Sequence, residues 1–302
     1  MSRVAFLVNP ASANGSTGSR WAELAHIAAG KGLTGDVLFS ERPGHLSQLA
    51  SAAADEGADL LVVVGGDGAL HEVANGVVGR GGVELAVLMR GTGMDFARTY
   101  GIPTDPERAF DIALNGSARE IDVGRVTFHA WAGGERVEHL VNVGSVGMSA
   151  DTARRANSRS KALGGKPTFF LTLVESFLRW RNVEMRVRVG AETRSGKMTS
   201  VVVANGQYHG GSMWLAPEAE PDDGLLDVVV IGDITKADFV RSVRRIYKGT
   251  HLTHPKIELL RGSAVEVDAD EPVPLELDGE QPGTTPARFD IVPGALKIRV
   301  PR

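Results

Sequence analysis

The sequence lacks cysteine and long apolar runs, and each absence excludes a class of protein. Without cysteine there are no disulfides, no thiolate metal sites and no cysteine nucleophile. No apolar stretch approaches the roughly 18–20 residues that cross a bilayer, and the first residues form a strand-like pattern rather than a signal peptide. We therefore expect a cytoplasmic protein whose membrane contact is peripheral.

An excess of one charge is also missing, since 33 basic and 37 acidic residues leave a formal net charge of −4. Such a chain has no general basic field for nucleic acid, and we expect no nucleic-acid partner. Glycine, with 37 residues, is abundant and clusters between apolar stretches, a pattern typical of tight turns and backbone-lined sites. A length of 302 residues suits two domains.

The pattern of predicted secondary structure changes near residue 122. Up to that point β-rich runs alternate with helical patterns, which predicts a parallel sheet covered by helices. Beyond it, short strand-like runs separated by turns predict an antiparallel sandwich or barrel, interrupted by helices at Thr168–Arg181 and Lys236–Lys248. We predict an α/β plus all-β fold: an α/β domain over residues 1–122, to which the last residues of the chain could return, and a β-sandwich over residues 123–302.

The sharpest motif is Gly65-Gly66-Asp67-Gly68, which lies between an apolar run and a helical pattern. Glycines let backbone N–H groups approach an anion, and a helix N-terminus adds unpaired donors and a positive dipole end. An aspartate there would repel phosphate unless a divalent cation lay between them, so the motif indicates a nucleotide with Mg²⁺. The simpler alternative is a tight turn with Asp67 as a helix N-cap.

Two more turns of small residues follow predicted strands, at Gly91-Thr92-Gly93 and over Asn9–Gly15. The carboxyl ends of neighbouring parallel strands are where such sheets bind ligands, so all three turns should face one site. The sequence contains neither a P-loop nor a dinucleotide fingerprint, which argues against those two classes of nucleotide-binding protein.

These turns carry a resemblance to the diacylglycerol kinase catalytic family, which includes bacterial diacylglycerol kinases and, more distantly, sphingosine and ceramide kinases. The resemblance runs through ordered blocks along nearly the whole chain: Asn9-Pro10, Gly65–Val73, Gly91–Arg98, Asn142–Gly147, Val203–Gly206, Gly210-Gly211, Ala216–Ala219, Asp222–Asp227 and Leu277–Glu280. It implies an α/β nucleotide domain similar to NAD kinase, followed by a β-sandwich. The implied activity is ATP- and Mg²⁺-dependent phosphorylation of a lipid hydroxyl, most directly of diacylglycerol to phosphatidic acid.

The resemblance also implies which residues contact ATP, with Asp67 serving the catalytic Mg²⁺ as well. The candidates are Asn9, Ser12, Ser40, Gly65, Gly66, Asp67, Gly68, Glu72, Gly91 and Thr92. Three positions depart from the family pattern: Ala69 replaces Thr, Met94 replaces Asn, and Arg90 replaces an apolar residue. They leave open a nucleotide- or lipid-binding protein without catalysis. A kinase of another, sphingoid-like lipid or of a soluble acceptor is a further alternative.

The turn Asp278-Gly279-Glu280 supplies two carboxylates at the end of a predicted strand. A kinase needs a carboxylate that orients the acceptor hydroxyl and takes its proton. In the resembling family this turn carries the proposed base, so we assign a catalytic role to Asp278 and Glu280 and leave open which of them takes the proton. The alternative is a surface turn with solvated acids.

An acidic segment, Glu220–Asp227, precedes another predicted strand. Mixed carboxylate and backbone oxygens suit hard cations. The resemblance implies a structural Mg²⁺ held by Asp223 and by the backbone carbonyls of Glu220 and Leu225. The alternative is an Asp-Gly turn that opens the strand.

The stretch Arg154–Arg188 carries nine basic residues but only two acids, Glu175 and Glu184. Its apolar centre ends in Trp180, and a basic segment with bulky apolar residues is typical of a membrane interface. We expect it to contact the membrane that holds the lipid substrate; the alternative is a helix packed on the sandwich. The basic residues are Arg154, Arg155, Arg159, Lys161, Lys166, Arg179, Arg181, Arg186 and Arg188. A homodimer is left open.

Overall fold

The structure is a computed structural model that describes residues 3–91, 93–157 and 165–302. It divides into two compact units, unit 1 with Met1–Ile121 and Gly294–Arg302, and unit 2 with Asp122–Pro293. Among the described residues no helix is both long and apolar enough to cross a membrane. The predicted fold class, an α/β part followed by a mainly antiparallel β part, is confirmed.

Unit 1 alternates strands and helices, as the sequence pattern predicts. Its elements are β1 (Val4–Val8), α1 (Ser16–Ser19), α2 (Trp21–Gly30), β2 (Asp36–Phe39), α3 (His45–Asp55), β3 (Leu60–Gly65), α4 (Asp67–Val77), β4 (Glu84–Met89), α5 (Asp95–Thr99) and α6 (Pro106–Asn115). The sheet order is β4-β3-β1-β2, with every neighbouring pair parallel. All four strands therefore end at the same edge of the sheet.

Burial explains why β3 is apolar at every position. Each of its residues is buried, with β1 on one side and β4 on the other. On one face of the sheet, Phe6 meets Phe110 of α6 in an edge-to-face contact with ring centroids 6.3 Å apart. The start of α6 is fixed by Asp105, whose carboxylate accepts a hydrogen bond from the Arg108 N–H, and by Pro106 at the first helical position.

Unit 2 is mainly antiparallel. Its elements are β5 (Ser117–Ala130), β6 (Glu135–Leu140), β7 (Val143–Gly147), α7 (Met148–Asn157), α8 (Gly165–Arg179), β8 (Val183–Val189), β9 (Glu192–Met198), β10 (Ser200–Ala204), β11 (Tyr208–His209), β12 (Met213–Trp214), β13 (Leu226–Ile231), α9 (Lys236–Ile246), a 3₁₀ turn (His251–Thr253), β14 (Ile257–Gly262), β15 (Ala264–Ala269), β16 (Pro274–Leu277) and β17 (Glu280–Val300). One antiparallel path runs β14-β13-β10-β7-β16-β17, and β15 joins β17 to β8 and then to β9.

Two apolar clusters lie on opposite faces of β10 in unit 2. Val201 and Val203 belong to the cluster between the strand layers, whereas Val202 packs with Leu173 and Phe177 of α8 in the second cluster. Because successive side chains of a strand alternate between faces, β10 must be apolar at both parities. Unit 2 thus consists of a β-sandwich with helices covering one sheet.

The apolar pattern beyond residue 122 predicts one strand over Val137–Val143 and separate strands over Phe289–Val292 and Leu296–Val300, and the structure differs at both places for local reasons. The run predicted as one strand over Val137–Val143 breaks after Leu140, because the backbone N–H groups of the next residues turn towards the carboxylate of Asp278. The runs predicted separately over Phe289–Val292 and Leu296–Val300 belong to the single strand β17. A positive φ of 60° at Gly294 lets that strand continue through Pro293-Gly294.

Candidate active site

The carboxyl ends of the four parallel strands of unit 1 bring the predicted nucleotide residues together. The Asn9 N–H donates to the Val64 carbonyl at 3.0 Å, and the Ser40 N–H donates to the Val8 carbonyl at 2.9 Å. These two bonds place the turns after β1 and β2 beside the glycine turn after β3. The site predicted at this edge of the sheet is therefore contiguous within unit 1, except that Thr92 lies outside the described residues.

The turn after β1 is organised by its own polar side chains. The Asn9 side-chain oxygen accepts the Ala11 N–H at 3.0 Å, and the Ser12 hydroxyl donates to the Asn9 carbonyl at 2.9 Å. The Ser12 hydroxyl also lies 2.6 Å from the hydroxyl of Thr17. Asn9 and Ser12 thus hold the turn in shape, and any contact with a nucleotide would come from a preformed loop.

Close backbone packing joins the glycine turns after β3 and β4. A Cβ added to Gly91 would lie 3.0 Å from the Cα of Gly66, tighter than ordinary van der Waals contact. Helix α4 starts immediately at Asp67 with Gly66 as its N-cap residue, and no side chain caps it. The N-cap interpretation of Asp67 is therefore wrong. The backbone of Gly65, Gly66 and Gly68 at this helix start can accept an anion.

Two carboxylates converge beside Gly93. A Cβ on this glycine would lie 2.9 Å from Oδ2 of Asp67 and 3.1 Å from Oδ2 of Asp95. The other oxygen of Asp67 accepts the Phe96 N–H at 3.2 Å, which fixes its orientation. Two carboxylates at a helix start that also suits phosphate form a donor set that fits Mg²⁺. Sequence reasoning missed Asp95, although its place two residues after Gly93 was a usable signal.

Arg90 ties the turn after β4 to the turn after β1. Its guanidinium donates to the Thr17 hydroxyl and to the Ser16 hydroxyl, both at 3.2 Å. Burial, and then the nearby charge of Arg20, lower the pKa of Arg90. The residue that departs most in chemistry from the family pattern is thus a partly buried cation that holds two of the three site turns together.

Glu72 has a contact that the sequence did not reveal. Its carboxylate accepts the Leu46 N–H at 3.0 Å, and Leu46 is the second residue of α3. The α3 N-cap residue, Gly44, supplies no side-chain acceptor, so Glu72 satisfies one of the unpaired amides of that helix start. This contact favours a structural role for Glu72 over the predicted role in nucleotide binding.

In unit 2 the two acids of the predicted catalytic turn differ in their surroundings. The Asp278 carboxylate is buried and accepts the backbone N–H groups of Val141, Asn142 and Val143 at 2.8–3.1 Å. Its backbone has a positive φ of 50°, which is uncommon for a residue other than glycine. Glu280 is exposed. The structure therefore anchors the Asp278 carboxylate to backbone amides and leaves Glu280 exposed.

Glu276, two residues before Asp278, is a buried carboxylate that sequence reasoning missed. The Ser145 hydroxyl and the backbone N–H of Gly279 donate to it, and His209 Nε2 lies 3.4 Å from its Oε2. Burial raises the pKa of Glu276. This network contacts the same turn through the Gly279 N–H.

The acidic segment Glu220–Asp227 meets a cation of the chain itself. The Arg261 guanidinium donates to Asp223, and its Nε lies 3.3 Å from Asp227. Burial raises the pKa of Asp227 to about 6, and Arg261 opposes that rise. The donor set around Asp223 does not fit the structural Mg²⁺ that the resemblance implies.

An apolar pocket in unit 2 lies among α7, α8 and α9. Phe177 of α8 stacks on Phe239 of α9 with ring centroids 4.0 Å apart. His209 and His251 are polar residues in its wall. The other lining residues are Met148, Ser149, Thr152, Leu173, Thr199, Met213, Leu215, Ile231, Ile234, Ser242, Val243, Ile246 and Ile257. Most of these side chains belong to the second apolar cluster, so the pocket is a small gap within that core.

The predicted membrane segment has both an exposed and a packed side. Phe170, Leu171 and Leu178 of α8 are exposed by 39%, 53% and 54%. Trp180, by contrast, packs against both apolar clusters of unit 2. Arg154 and Arg155 both pair with Asp151. Arg159 and Lys161 lie outside the described residues, as does the side chain of Lys166.

Comparisons with known proteins agree on one family. Residues 3–126 match the family described as the diacylglycerol kinase catalytic domain, and residues 142–300 match the YegS C-terminal NAD kinase beta sandwich-like domain. The chain is 32% identical to a Pseudomonas aeruginosa protein named "Probable lipid kinase YegS-like", over 93% of this chain and 89% of that one. It is 29% identical to the diacylglycerol kinase of Bacillus subtilis, over 82% of this chain and 79% of that one.

A solved structure has the same fold. The crystal structure of a diacylglycerol kinase from Bacillus anthracis superposes with a TM-score of 0.73, and the alignment covers 99% of this chain and 97% of that chain. At 18% identity, this likeness concerns the fold alone.

Proposed function

Because the chain belongs to the diacylglycerol kinase catalytic family, we propose that it transfers the γ-phosphoryl group of ATP to the hydroxyl of diacylglycerol. The family is one of lipid kinases and implies use of a nucleotide. The lipid acceptor is supported by the family match and by the exposed apolar side chains of α8, Phe170, Leu171 and Leu178. A water-soluble acceptor such as a sugar phosphate does not require an apolar surface of this kind.

In the proposed reaction the nucleotide phosphates bind at the start of α4, against the backbone of Gly66 and Gly68. Asp67 and Asp95 would hold Mg²⁺, which when bound neutralises charge on the phosphate oxygens. Arg90 keeps the surrounding turns in place through Ser16 and Thr17.

Glu280 is the proposed general base, because it is the exposed carboxylate of its turn. The acceptor oxygen forms a bond to the γ-phosphorus, and the bond from that phosphorus to the bridging oxygen of ADP breaks. The hydroxyl proton passes to Glu280 late in a loose transition state. Asp278 is the positioning residue, since its carboxylate is occupied by three backbone N–H groups.

We also propose peripheral membrane contact through the exposed side of α8. Phe170, Leu171 and Leu178 are exposed apolar side chains on this helix, and such a surface can enter the headgroup region of a bilayer that holds the substrate.

The test is transfer of labelled phosphate from ATP and Mg²⁺ to diacylglycerol in vesicles, compared with soluble diols. We expect label in phosphatidic acid. Asp67→Asn should lower turnover by about 10²-fold or more, because this carboxylate would hold the Mg²⁺ that neutralises charge on the phosphate oxygens. Asp111→Asn, an exposed aspartate on α6, is the matched control and should leave turnover unchanged.

Each other outcome contradicts the proposal in its own way. Label in a soluble acceptor alone would place the chain among kinases of soluble substrates. Nucleotide binding without transfer to any acceptor would favour loss of catalysis, the alternative raised by Ala69 and Met94.

A further inference from the structure

The acidic loop before β13 is fixed by bonds within unit 2. The Asp122 N–H donates to the Pro221 carbonyl, and the Gly224 N–H donates to the Asp122 carboxylate, both at 2.7 Å. Inside the loop, Asp223 Oδ1 accepts the Leu225 N–H at 2.9 Å. The backbone shape that a cation would otherwise organise is therefore already held by hydrogen bonds.

Arg261 supplies positive charge at the same place. Strands β13 and β14 pair antiparallel with Asp227 directly opposite Arg261. The Arg261 side chain therefore lies beside Asp227 and extends to Asp223. It donates to Asp223 Oδ2, and its Nε lies 3.3 Å from Asp227. The Asp227 side chain is 1% exposed, and a buried carboxylate needs such a partner.

A divalent cation on Asp223 would compete with this guanidinium. Both oxygens of the carboxylate already accept hydrogen bonds, one from the Leu225 N–H and one from Arg261. An ion there would lie within a few ångströms of a permanent positive charge, and like charges at that distance repel. Two backbone carbonyls cannot offset that repulsion, because hard cations depend on carboxylate charge.

We propose that Arg261 takes, in this chain, the place of the structural cation that the family resemblance puts at Asp223. The loop is then held permanently and does not depend on the metal concentration. Any divalent ion that the protein needs belongs to the nucleotide site of unit 1.

The Arg261 pair also bears on the predicted catalytic turn. Asn205 donates from its side-chain amide to the carbonyls of Asp122 and Val141, each at 2.9 Å. The Val141 N–H in turn donates to the Asp278 carboxylate. A continuous set of bonds thus runs from the loop that Arg261 holds to the turn that carries Glu280.

The test is thermal unfolding, with and without divalent ions, in an Asp67→Asn, Asp95→Asn background that removes both other candidate metal ligands. The melting temperature should be the same in EDTA, MgCl₂ and CaCl₂. Arg261→Met in this background should lower it by on the order of 5–10 °C, because Asp227 is left buried and unpaired.

Arg194→Met is the matched control. Arg194 also bridges two carboxylates, Glu192 and Glu258, and its side chain is 34% exposed against 38% for Arg261, but both its partners are exposed. Its loss should lower the melting temperature by only about 1–3 °C.

Stabilisation of the Arg261-containing protein by MgCl₂ or CaCl₂ would overturn the proposal, and so would equal effects of the two substitutions. If Arg261→Met does not fold, the metal titration of the Arg261-containing protein still decides the question. None of these readouts depends on kinase activity.

Discussion

The Ser145 hydroxyl donates a hydrogen bond of 2.9 Å to Oε2 of Glu276, a carboxylate with no exposed surface. His209 Nε2 approaches the same oxygen to 3.4 Å. Burial is the largest influence on this acid and raises its pKa, while His209, the Gly279 N–H and Ser145 act in the opposite direction. The proposed catalytic turn therefore begins two residues after a carboxylate whose ionised form is disfavoured by burial.

Glu276 should make stability depend on pH. Because its folded pKa is raised, its contribution is fully present below the unfolded value of about 4.3 and is lost as pH rises through the folded value. Glu276→Gln should remove this loss. Urea unfolding from acid to neutral pH measures it, and a pH-independent difference between the two proteins would contradict the expectation.

A control of opposite sign is available in Glu258, an exposed acid whose pKa is lowered chiefly by its hydrogen bond to Arg194. Its contribution is present above the unfolded pKa and is lost as pH falls through the folded value. Glu258→Gln should therefore cost stability at neutral pH and little in acid.

Asp278 and Glu280 should separate stability from turnover. Asp278→Asn replaces an acceptor of three backbone N–H bonds by an amide, and should lower the free energy of unfolding by about 1.5–3 kcal/mol. Glu280→Gln should leave unfolding unchanged and lower turnover by about 10²–10⁴-fold, with little effect on the KM for ATP. Denaturation curves and initial rates on both variants decide; normal turnover in folded Glu280→Gln would show that Glu280 is not the base.

Glu72 should behave as a helix cap. Glu72→Ala should cost about 1 kcal/mol of unfolding free energy, because the Leu46 N–H loses its acceptor, and should leave nucleotide binding close to normal. Isothermal titration with ATP, run beside thermal unfolding, compares the two effects. A large loss of ATP affinity at unchanged stability would restore the role predicted from the sequence.

Substitution of Trp180 should affect mainly stability, whereas substitution of the exposed leucines should affect mainly binding to vesicles. Trp180→Ala should cost about 3–5 kcal/mol of unfolding free energy, because its ring packs against both clusters of unit 2. Leu171→Ser and Leu178→Ser should change stability by about 0.5 kcal/mol or less and weaken binding to vesicles.

Binding to vesicles, measured by co-sedimentation, should depend only weakly on salt. The reason is that Arg154 and Arg155 already pair with Asp151. Unchanged vesicle binding by both leucine variants would mean that the helix is structural. A steep salt dependence that disappears in Arg154→Gln with Arg155→Gln would instead favour the charge-driven contact.

Much of the fold could be predicted because local pattern and tertiary structure agree. The sequence pattern predicts strands at Glu84–Met89, Val183–Val189 and Leu226–Ile231 and a helix at Pro106–Asn115, and the structure has these same boundaries. The β9 strand, Glu192–Met198, was missed because it is largely polar. This segment is a strand because it pairs with β8, and such pairing cannot be inferred from local β-propensity.

Only those parts of the candidate site that backbone motifs mark could be predicted from the sequence. Glycine turns mark the sheet edge where Gly66 and Gly91 pack together, because few other residues allow that approach. The roles of side chains did not follow from spacing. Asp278 and Glu280 look equivalent in sequence, and only the three N–H groups that surround Asp278 distinguish them. Arg261 lies far from Asp223 along the chain, so its contact with the acidic segment could not be predicted without the pairing of β14 with β13.

The last strand has a consequence for how the chain is made. Lys297 and Ile298 lie beside Glu84 and Leu85 on β4, and Arg299 donates to the carbonyl of Gly116. These residues leave the ribosome after all of unit 2. Unit 1, although translated first, therefore keeps an open sheet edge throughout synthesis, and it becomes complete only when unit 2 has been made.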